Sequence, residues 1–536
     1  MIALLRLARE DRELFHNENT FSQLKAAGRE DEFHSSYDKA VENFRRELGK
    51  TYPMIIGGVE VTSSDGTFDD TNPSKIDLVV ARFQKGNREH AKQAIEAAKK
   101  AFEKWSETAY TERVRLYRLA ADIASKSKYK LAAELTFDNG KNRYEAMADI
   151  DEGIDFIRYY AEQLEVNKGF DMEMGHLAPN ERTRSVLRPY GVWSVISPFN
   201  FPFAITTGMS TGASITGNTI VLKPASDTPL LAYELLRIMK EAGVPDGVIN
   251  FVTGSGSTVG AELIENRAIQ GVVFTGSWEV GSKSLAEFEK AMPRPFIAEM
   301  GGKNATVVSE KSELDKAVEG VMRGAFGFAG QKCSACSRVY VKESIKEEFV
   351  DRLILKTAEL KVGNPERKEV FLGPLINEAA YRNYQNYVEE AREAGKIAYG
   401  GRVLENGEMS NGYFVEPTIV TDLPKNHRLI RTELFVPILT VETYSELQDA
   451  IKRVNDVDYG LTSGIFSTDR KEIDTYFDKV QAGVIYANRV SGSTTGAVVG
   501  NQSFVGWKRS GSSGKGAGGP YYLQQFLREQ SQTIYT

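Results

Sequence analysis

From Gly191 onward the chain alternates short apolar runs with helix-forming stretches, and this alternation restricts its fold more than any other feature. The runs GVWSVIS (191–197), NTIVLKP (218–224), VINFVTG (248–254) and QGVVFTG (270–276) each end in Gly, Ser or Pro. Their length and β-branched content predict buried strands. Between the second and third lies TPLLAYELLRIMKEAG (228–243), whose leucines recur at helical spacing. Strand, helix and strand in this succession predict a parallel, doubly wound sheet. Such sheets bind ligands at the carboxyl ends of their strands, where these Gly- and Ser-rich turns fall.

Residues 1–50 are polar and helix-prone and read as an N-terminal helical extension. Residues 57–87 have the pattern of short strands, and Ala91, Ile95, Ala98, Phe102 and Trp105 mark one face of an amphipathic helix. More helix is expected over 111–136 and 143–166, and a second α/β pattern runs from about 299 to 490. Two Gly/Ser-rich stretches, SGSTTGAVVG (491–500) and SGSSGKGAGG (510–519), read from composition as flexible loops.

A chain of 536 residues, 41% hydrophobic and 26% charged, has the balance of a soluble protein with more than one domain. Its net charge of −6 argues against a general nucleic-acid or membrane-surface role. The N-terminus breaks early into charge, unlike a secretory signal, and no apolar run reaches about 18 residues. Cys333 and Cys336, the two cysteines, lie too close together to staple so large a fold, so a reducing, cytoplasmic setting is expected. His16, His34, His90, His176 and His427 sit at no metal-ligand spacing, so no metal centre is expected.

Several turns carry groups with chemical potential. GSGSTVG (254–260) is close to a dinucleotide fingerprint but has one residue too many before its last glycine. FTGSWEVG (274–281) repeats the same chemistry one strand later, and its Lys283 comes too late for an ATP loop. Lys223 closes a strand where it could reach a ribose or phosphate, or simply be solvated at a turn. Cys333, in FGFAGQKCSACSR (326–338), is a nucleophile if its thiol is ionised, with Lys332 adjacent, or else one of two buried structural cysteines. Glu299 could act as a general base if desolvated, or cap a turn. Asn200 could donate to an oxyanion, or merely fill its turn.

In order and spacing, SPFNFP (197–202), VLKPAS (221–226), FTGS (274–277), EMGGK (299–303), GQKC (330–333) and ELFVP (433–437) resemble the motifs of the aldehyde dehydrogenase superfamily, over roughly residues 55–530. The resemblance implies an α/β fold with a doubly wound Rossmann-type cofactor domain, a second α/β catalytic domain and a small β oligomerisation arm. Residues 51–167 and 191–298 would form the NAD-binding domain and 299–490 the catalytic domain. Residues 168–190 and 491–536 would supply the oligomerisation hairpin, substrate loop and C-terminal arm. Cys333 would attack the aldehyde to give a thiohemiacetal, with Asn200 and the Cys333 amide stabilising the oxyanion. Hydride loss to a nicotinamide would leave a thioester, and Glu299 would activate the water that hydrolyses it. Ser197, Lys223, Ser226, Gly276, Ser277, Trp278, Glu279 and Val280 match cofactor contacts of the family, as does Phe435 with Glu433, the latter towards the nicotinamide ribose.

Within the superfamily, GQKCSACSR (330–338), DEGIDFIRYYAEQLE (151–165), TGAVVG (495–500) and KGAGGPYYL (515–523) most resemble the 1-pyrroline-5-carboxylate dehydrogenases, which oxidise L-glutamate γ-semialdehyde to glutamate in proline breakdown. By that match Gly496, Ala497 and Ser334 would hold the substrate carboxylate and Glu152 its amino group, while Phe201 and Phe504 would flank its stem. The chain departs from the family at Val436, usually Gly, at Gln502–Gly506 in place of QPFGG, and in a longer stretch over 488–496. Ser226 stands where a glutamate would favour NAD and repel a 2′-phosphate, so NADP is not barred, with NAD expected as the main cofactor. The hairpin and C-terminal tail imply a homodimer or an assembly of dimers. Competing readings are another semialdehyde dehydrogenase, including one that acylates coenzyme A, a non-redox cysteine hydrolase, and a non-enzymatic binding protein.

Overall fold

The computed structural model describes residues 15–290, 292–490 and 498–536. The four apolar runs become the strands Val192–Ile196, Thr219–Lys223, Ile249–Phe251 and Ile269–Gly276. Together with Phe296–Met300 they form the parallel part of a seven-stranded sheet, whose far edge is the antiparallel hairpin Met54–Ile56 and Val59–Val61. Alternate residues face opposite layers, as the period of a strand requires. Val192, Val221 and Val272 pack on Ala91, Ala94, Ile95 and Ala98 of the helix Arg88–Trp105. Trp193, Ile220, Leu222 and Val273 pack instead with Ala204 and Ala213 of the helix Ala204–Ile215 and with Leu230, Leu231 and Leu235 of Leu230–Glu241.

The strand Val192–Ile196 lies between Thr219–Lys223 and Ile269–Gly276, so chain order reverses direction there. A crevice therefore opens at the carboxyl ends of these strands. A second seven-stranded sheet, parallel but for the edge strand Lys396–Tyr399, has Asn304–Val308 and Cys336–Lys342 at its centre. A third unit pairs Glu181–Pro189 with Leu527–Tyr535 and Asp171–Glu173, and leaves Met172, Met174, Leu177, Ile534 and Tyr535 exposed.

The N-terminal helices Thr20–Ala26 and Glu30–Arg45 lie against Lys128–Asn139 and Arg143–Val166. Phe33, Tyr37, Val41 and Phe44 recur at helical spacing on the buried face. The stretch 510–519 departs from its flexible-loop reading. Ser510 is buried, its carbonyl accepts from the Met300 amide at 2.8 Å, and Ser512 Oγ accepts from the Ala298 amide at 2.8 Å. These short residues run alongside a strand edge, which bulkier side chains would keep away. Among the described residues, no helix is long and apolar enough to cross a membrane.

Candidate active site

Two cavities of about 710 and 690 Å³ lie back to back. The first is lined by the carboxyl ends of the first sheet, through Ser197, Lys223, Gly276, Ser277 and Met300. The second runs from Phe201, Glu152 and Phe504 outward to Asn17, Asn19 and Lys25 of the N-terminal extension. Cys333 and Glu299 are the ionisable residues that line both. A thiol and a carboxyl thus sit where the two spaces meet.

Local backbone geometry sets Cys333 in place. The helix Leu314–Phe326 ends in a turn where Phe328, Ala329 and Gly330 all take positive φ, of 49°, 52° and 69°. Left-handed non-glycine residues cost of order 1 kcal/mol or more each and persist where surroundings over-determine them. Here Gln331 supplies the restraint. Its side chain accepts from the Ile376 amide at 2.8 Å and donates to Pro374 O at 3.2 Å. At Gly330 a Cβ would come within 2.6 Å of Val436 O, so that glycine is required by close approach as well as by φ. Past the turn, Asn304 Nδ2 donates to Cys333 O at 2.8 Å and to Ala335 O at 2.9 Å, holding the far side.

Asn200 is buried and lines the first cavity beside Cys333, and its Nδ2 donates to Gln331 O at 3.1 Å. The same backbone that carries the thiol therefore orients the amide. Burial pushes the Cys333 thiol well up, helped by the charges of Glu433, Glu299 and Glu152, while the Ser334 amide pulls it back. Lys332 does not activate the sulfur, because both oxygens of Glu145 bind its ammonium at 2.6 and 2.7 Å. Glu299 is also raised well above an ordinary carboxyl by burial, against a hydrogen bond from the Gly506 amide. Its Oε2 is sealed from solvent with no partner.

In the first cavity, burial lowers the Lys223 ammonium to about 8, and its Nζ donates to Pro224 O at 2.9 Å. Ser197 Oγ is buried with no partner. Glu433 Oε1 accepts from the Gly302 amide at 2.8 Å, and burial raises its carboxyl to about 7. Phe435 takes φ 59° and meets Phe199 edge-on at 5.7 Å between ring centroids. Val436 has no positive φ and is buried in the second core, so a β-branched residue fits there without backbone strain. Val280 also lines this cavity, whereas Ser226, Trp278 and Glu279 do not; Ser226 is exposed and Trp278 lies under Arg509. Gly256, Gly260 and Lys283, noted in the near-miss fingerprints but not assigned to the site, do line it.

In the second cavity Glu152 is raised to about 8, first by burial and then by Asp149. Ser334, Phe201 and Phe504 share the lining, and Lys141 Nζ stands 3.5 Å from the Phe201 ring centroid. Gly496 and Ala497 lie outside the described residues.

A family model for the aldehyde dehydrogenase family matches residues 61–532. This chain belongs to the aldehyde dehydrogenase family. It is 38% identical over 505 residues to the 1-pyrroline-5-carboxylate dehydrogenase of Geobacillus sp. (strain WCH70), covering 93% of this chain and 95% of that one. The structure of a 1-pyrroline-5-carboxylate dehydrogenase from Thermus with bound NAD superposes with a TM-score of 0.91 at 36% identity, covering 98% of this chain and all of the other. Proline utilization A from Bdellovibrio bacteriovorus, inactivated by N-propargylglycine, gives a TM-score of 0.92 at 35% identity over 98% of this chain. The chain spans about half of that longer protein, 53% of its length.

Proposed function

We propose that the protein oxidises L-glutamate γ-semialdehyde, the open form of 1-pyrroline-5-carboxylate, to L-glutamate with NAD. The observation that carries this reading is the meeting of two cavities at Cys333 and Glu299, with Glu152 set in the second. The first cavity suits a dinucleotide in volume, in the unpartnered Ser197 hydroxyl and in the glycine-lined approach at Gly256 and Gly260. Ser197, Lys223, Gly276, Ser277, Val280, Glu433 and Phe435 would hold NAD there, with 51–167 and 191–298 as its domain. When bound, NAD supplies the hydride acceptor.

The residues of this chain do the rest. Cys333 Sγ, its proton released to solvent, attacks the aldehyde carbon, and the alkoxide that forms is met by Asn200 Nδ2 and the Cys333 amide, worth about 3 kcal/mol per such donor. Loss of hydride from the same carbon leaves a thioester. Glu299, made more basic by its burial, takes a proton from water as the water attacks that thioester, releasing acid and thiol. A substrate ammonium beside Glu152 favours the ionised carboxylate that burial alone opposes. Phe201 and Phe504 flank the stem, and Ser334 with the amides of Gly496 and Ala497 would receive the carboxylate.

The arm formed by Glu181–Pro189 and Leu527–Tyr535, with its exposed Met172, Leu177 and Ile534, supports a homodimer or an assembly of dimers. NADH formation should be fastest with pyrroline-5-carboxylate, slower with succinate semialdehyde and slowest with propanal, and indifferent to coenzyme A. Equal turnover of all three would remove the substrate assignment, and dependence on coenzyme A would replace water as the acyl acceptor.

A further inference from the structure

The outer part of the second cavity is built by a segment that the reaction does not use. Residues 15–20 cross the helix Arg143–Val166 and reach the backbone at 498–501. Asn17 stands at the crossing. Its Nδ2 donates to Asp155 Oδ2 and to Val499 O, each at 2.9 Å, and its Oδ1 accepts from Asn501 Nδ2 at 2.6 Å. One side-chain amide thus satisfies a helix carboxylate and two points on the distant strand of chain. Phe15 meets Tyr159 edge-on at 5.3 Å, and a Cβ on Gly500 would fall within 2.9 Å of Phe15, so the chains approach closely.

The crossing is fastened on both sides. The Glu18 amide donates to Asp155 Oδ1 at 2.8 Å, and the Glu18 carboxylate binds Arg158 at 2.7 Å. Thr20 donates its amide and its hydroxyl to the two oxygens of Asp151, both at 2.7 Å. Asp151 and Asp155 flank Glu152 on one helix, and all three line the cavity together with Asn17, Val498 and Val499. The segment thus ties the helix that bears Glu152 to the chain at Val499 and Asn501.

We infer that Asn17 is a positioning residue for substrate selection: by bridging Asp155 to Val499 and Asn501 it fixes the width of the cavity where the amino-acid end of the substrate binds. This rests on the semialdehyde reading above. A short aldehyde occupies only the end at Cys333 and does not feel this width, whereas a substrate carrying an amino group and a carboxylate does. The role therefore separates KM for the semialdehyde from turnover of an unfunctionalised aldehyde.

The test compares wild type, Asn17→Ala, and the pair Asn17→Asp with Asp155→Asn, each in the full-length protein. The paired exchange restores a donor and an acceptor between segment and helix but leaves Val499 O without its donor. KM and kcat are measured for pyrroline-5-carboxylate and for propanal, with thermal midpoints and NAD affinity recorded alongside. Loss of these half-buried hydrogen bonds predicts a rise in KM for pyrroline-5-carboxylate of about five- to tenfold in both variants. Values of kcat, NAD affinity and propanal turnover should stay within about twofold of wild type. The paired exchange should recover most of any lost thermal midpoint without recovering KM. Recovery of KM together with stability would overturn the inference, since Asn17 would then be only a fastening. Unchanged selectivity in a folded Asn17→Ala would overturn it too. Should Asn17→Ala not fold, the paired exchange alone decides by the same criterion. A wild type that does not prefer pyrroline-5-carboxylate over propanal would instead sink the functional reading on which the inference stands.

Discussion

Lys141 and Asp149 form an ion pair of 2.8 Å with both side chains shut off from solvent. Asp149 also accepts from the Ala204 amide at 2.7 Å, just beyond the turn that carries Asn200 and Phe201. Burial pushes the Asp149 carboxyl up and the Lys141 ammonium down, and each is drawn back by the other. Removing one partner of an enclosed pair strands a buried charge, at a cost of about 3–5 kcal/mol. The two single changes should differ. In Lys141→Met the remaining carboxyl, already raised, takes up a proton and keeps its bond from Ala204, so the loss should be nearer 2 kcal/mol. In Asp149→Leu an ammonium and an amide both lose their acceptor, and about 4 kcal/mol should go. The double variant replaces the charges with apolar bulk and should cost no more than the milder single change. Urea unfolding followed by tryptophan fluorescence would then give a coupling energy of about 4 kcal/mol or more. Additivity within about 0.5 kcal/mol would show that the pair does not carry the turn.

Three further outcomes follow from the site. Asn200→Ala should lower kcat about a hundredfold or more with NAD affinity unchanged; a loss under threefold would deny it the oxyanion. Lys223→Met should raise the KM for NAD about tenfold while leaving alkylation of Cys333 by iodoacetamide unaltered, as isothermal titration and mass spectrometry would show. The third concerns pH. Because burial and the charges of Glu433, Glu299 and Glu152 raise the thiol, the free enzyme holds it protonated near neutrality, and its alkylation rate should climb as pH rises without levelling below about 9. Glu433 is itself raised to about 7 and repels the thiolate above that point, so Glu433→Gln should move the climb to lower pH. A plateau at neutral pH in wild type would contradict this sign.

The strand ends were legible because burial on both faces leaves a simple signature: a short apolar run stopped by Gly, Ser or Pro. Cys333, Glu299 and Asn200 were legible through motif order, since each local context alone suited a structural role equally well. Composition misread 510–519, where small residues serve close packing against the strand bearing Glu299 rather than looseness. Lys332 beside Cys333 suggested an activating cation, but its partner Glu145 is 187 positions away in sequence, and nothing local announces such a pairing. The same holds for Gln331 and Asn304, whose side chains lock the thiol through backbone groups far along the chain. Ser226, Trp278 and Glu279 were placed by motif position alone, and none of the three lines the cavity, although the charge of Glu279 reaches Glu433 there.

In the proposed reaction the carbon chemistry passes through a thioester on Cys333, which Glu299 then helps water to cleave. The most direct measurement is rapid acid quenching of Glu299→Gln mixed with NAD and pyrroline-5-carboxylate, followed by mass spectrometry of the peptide containing Cys333. A thioester that cannot turn over gives one burst of NADH per active site and a peptide heavier by one glutamyl group, absent from Cys333→Ala. Normal steady turnover with no adduct on that peptide would contradict it.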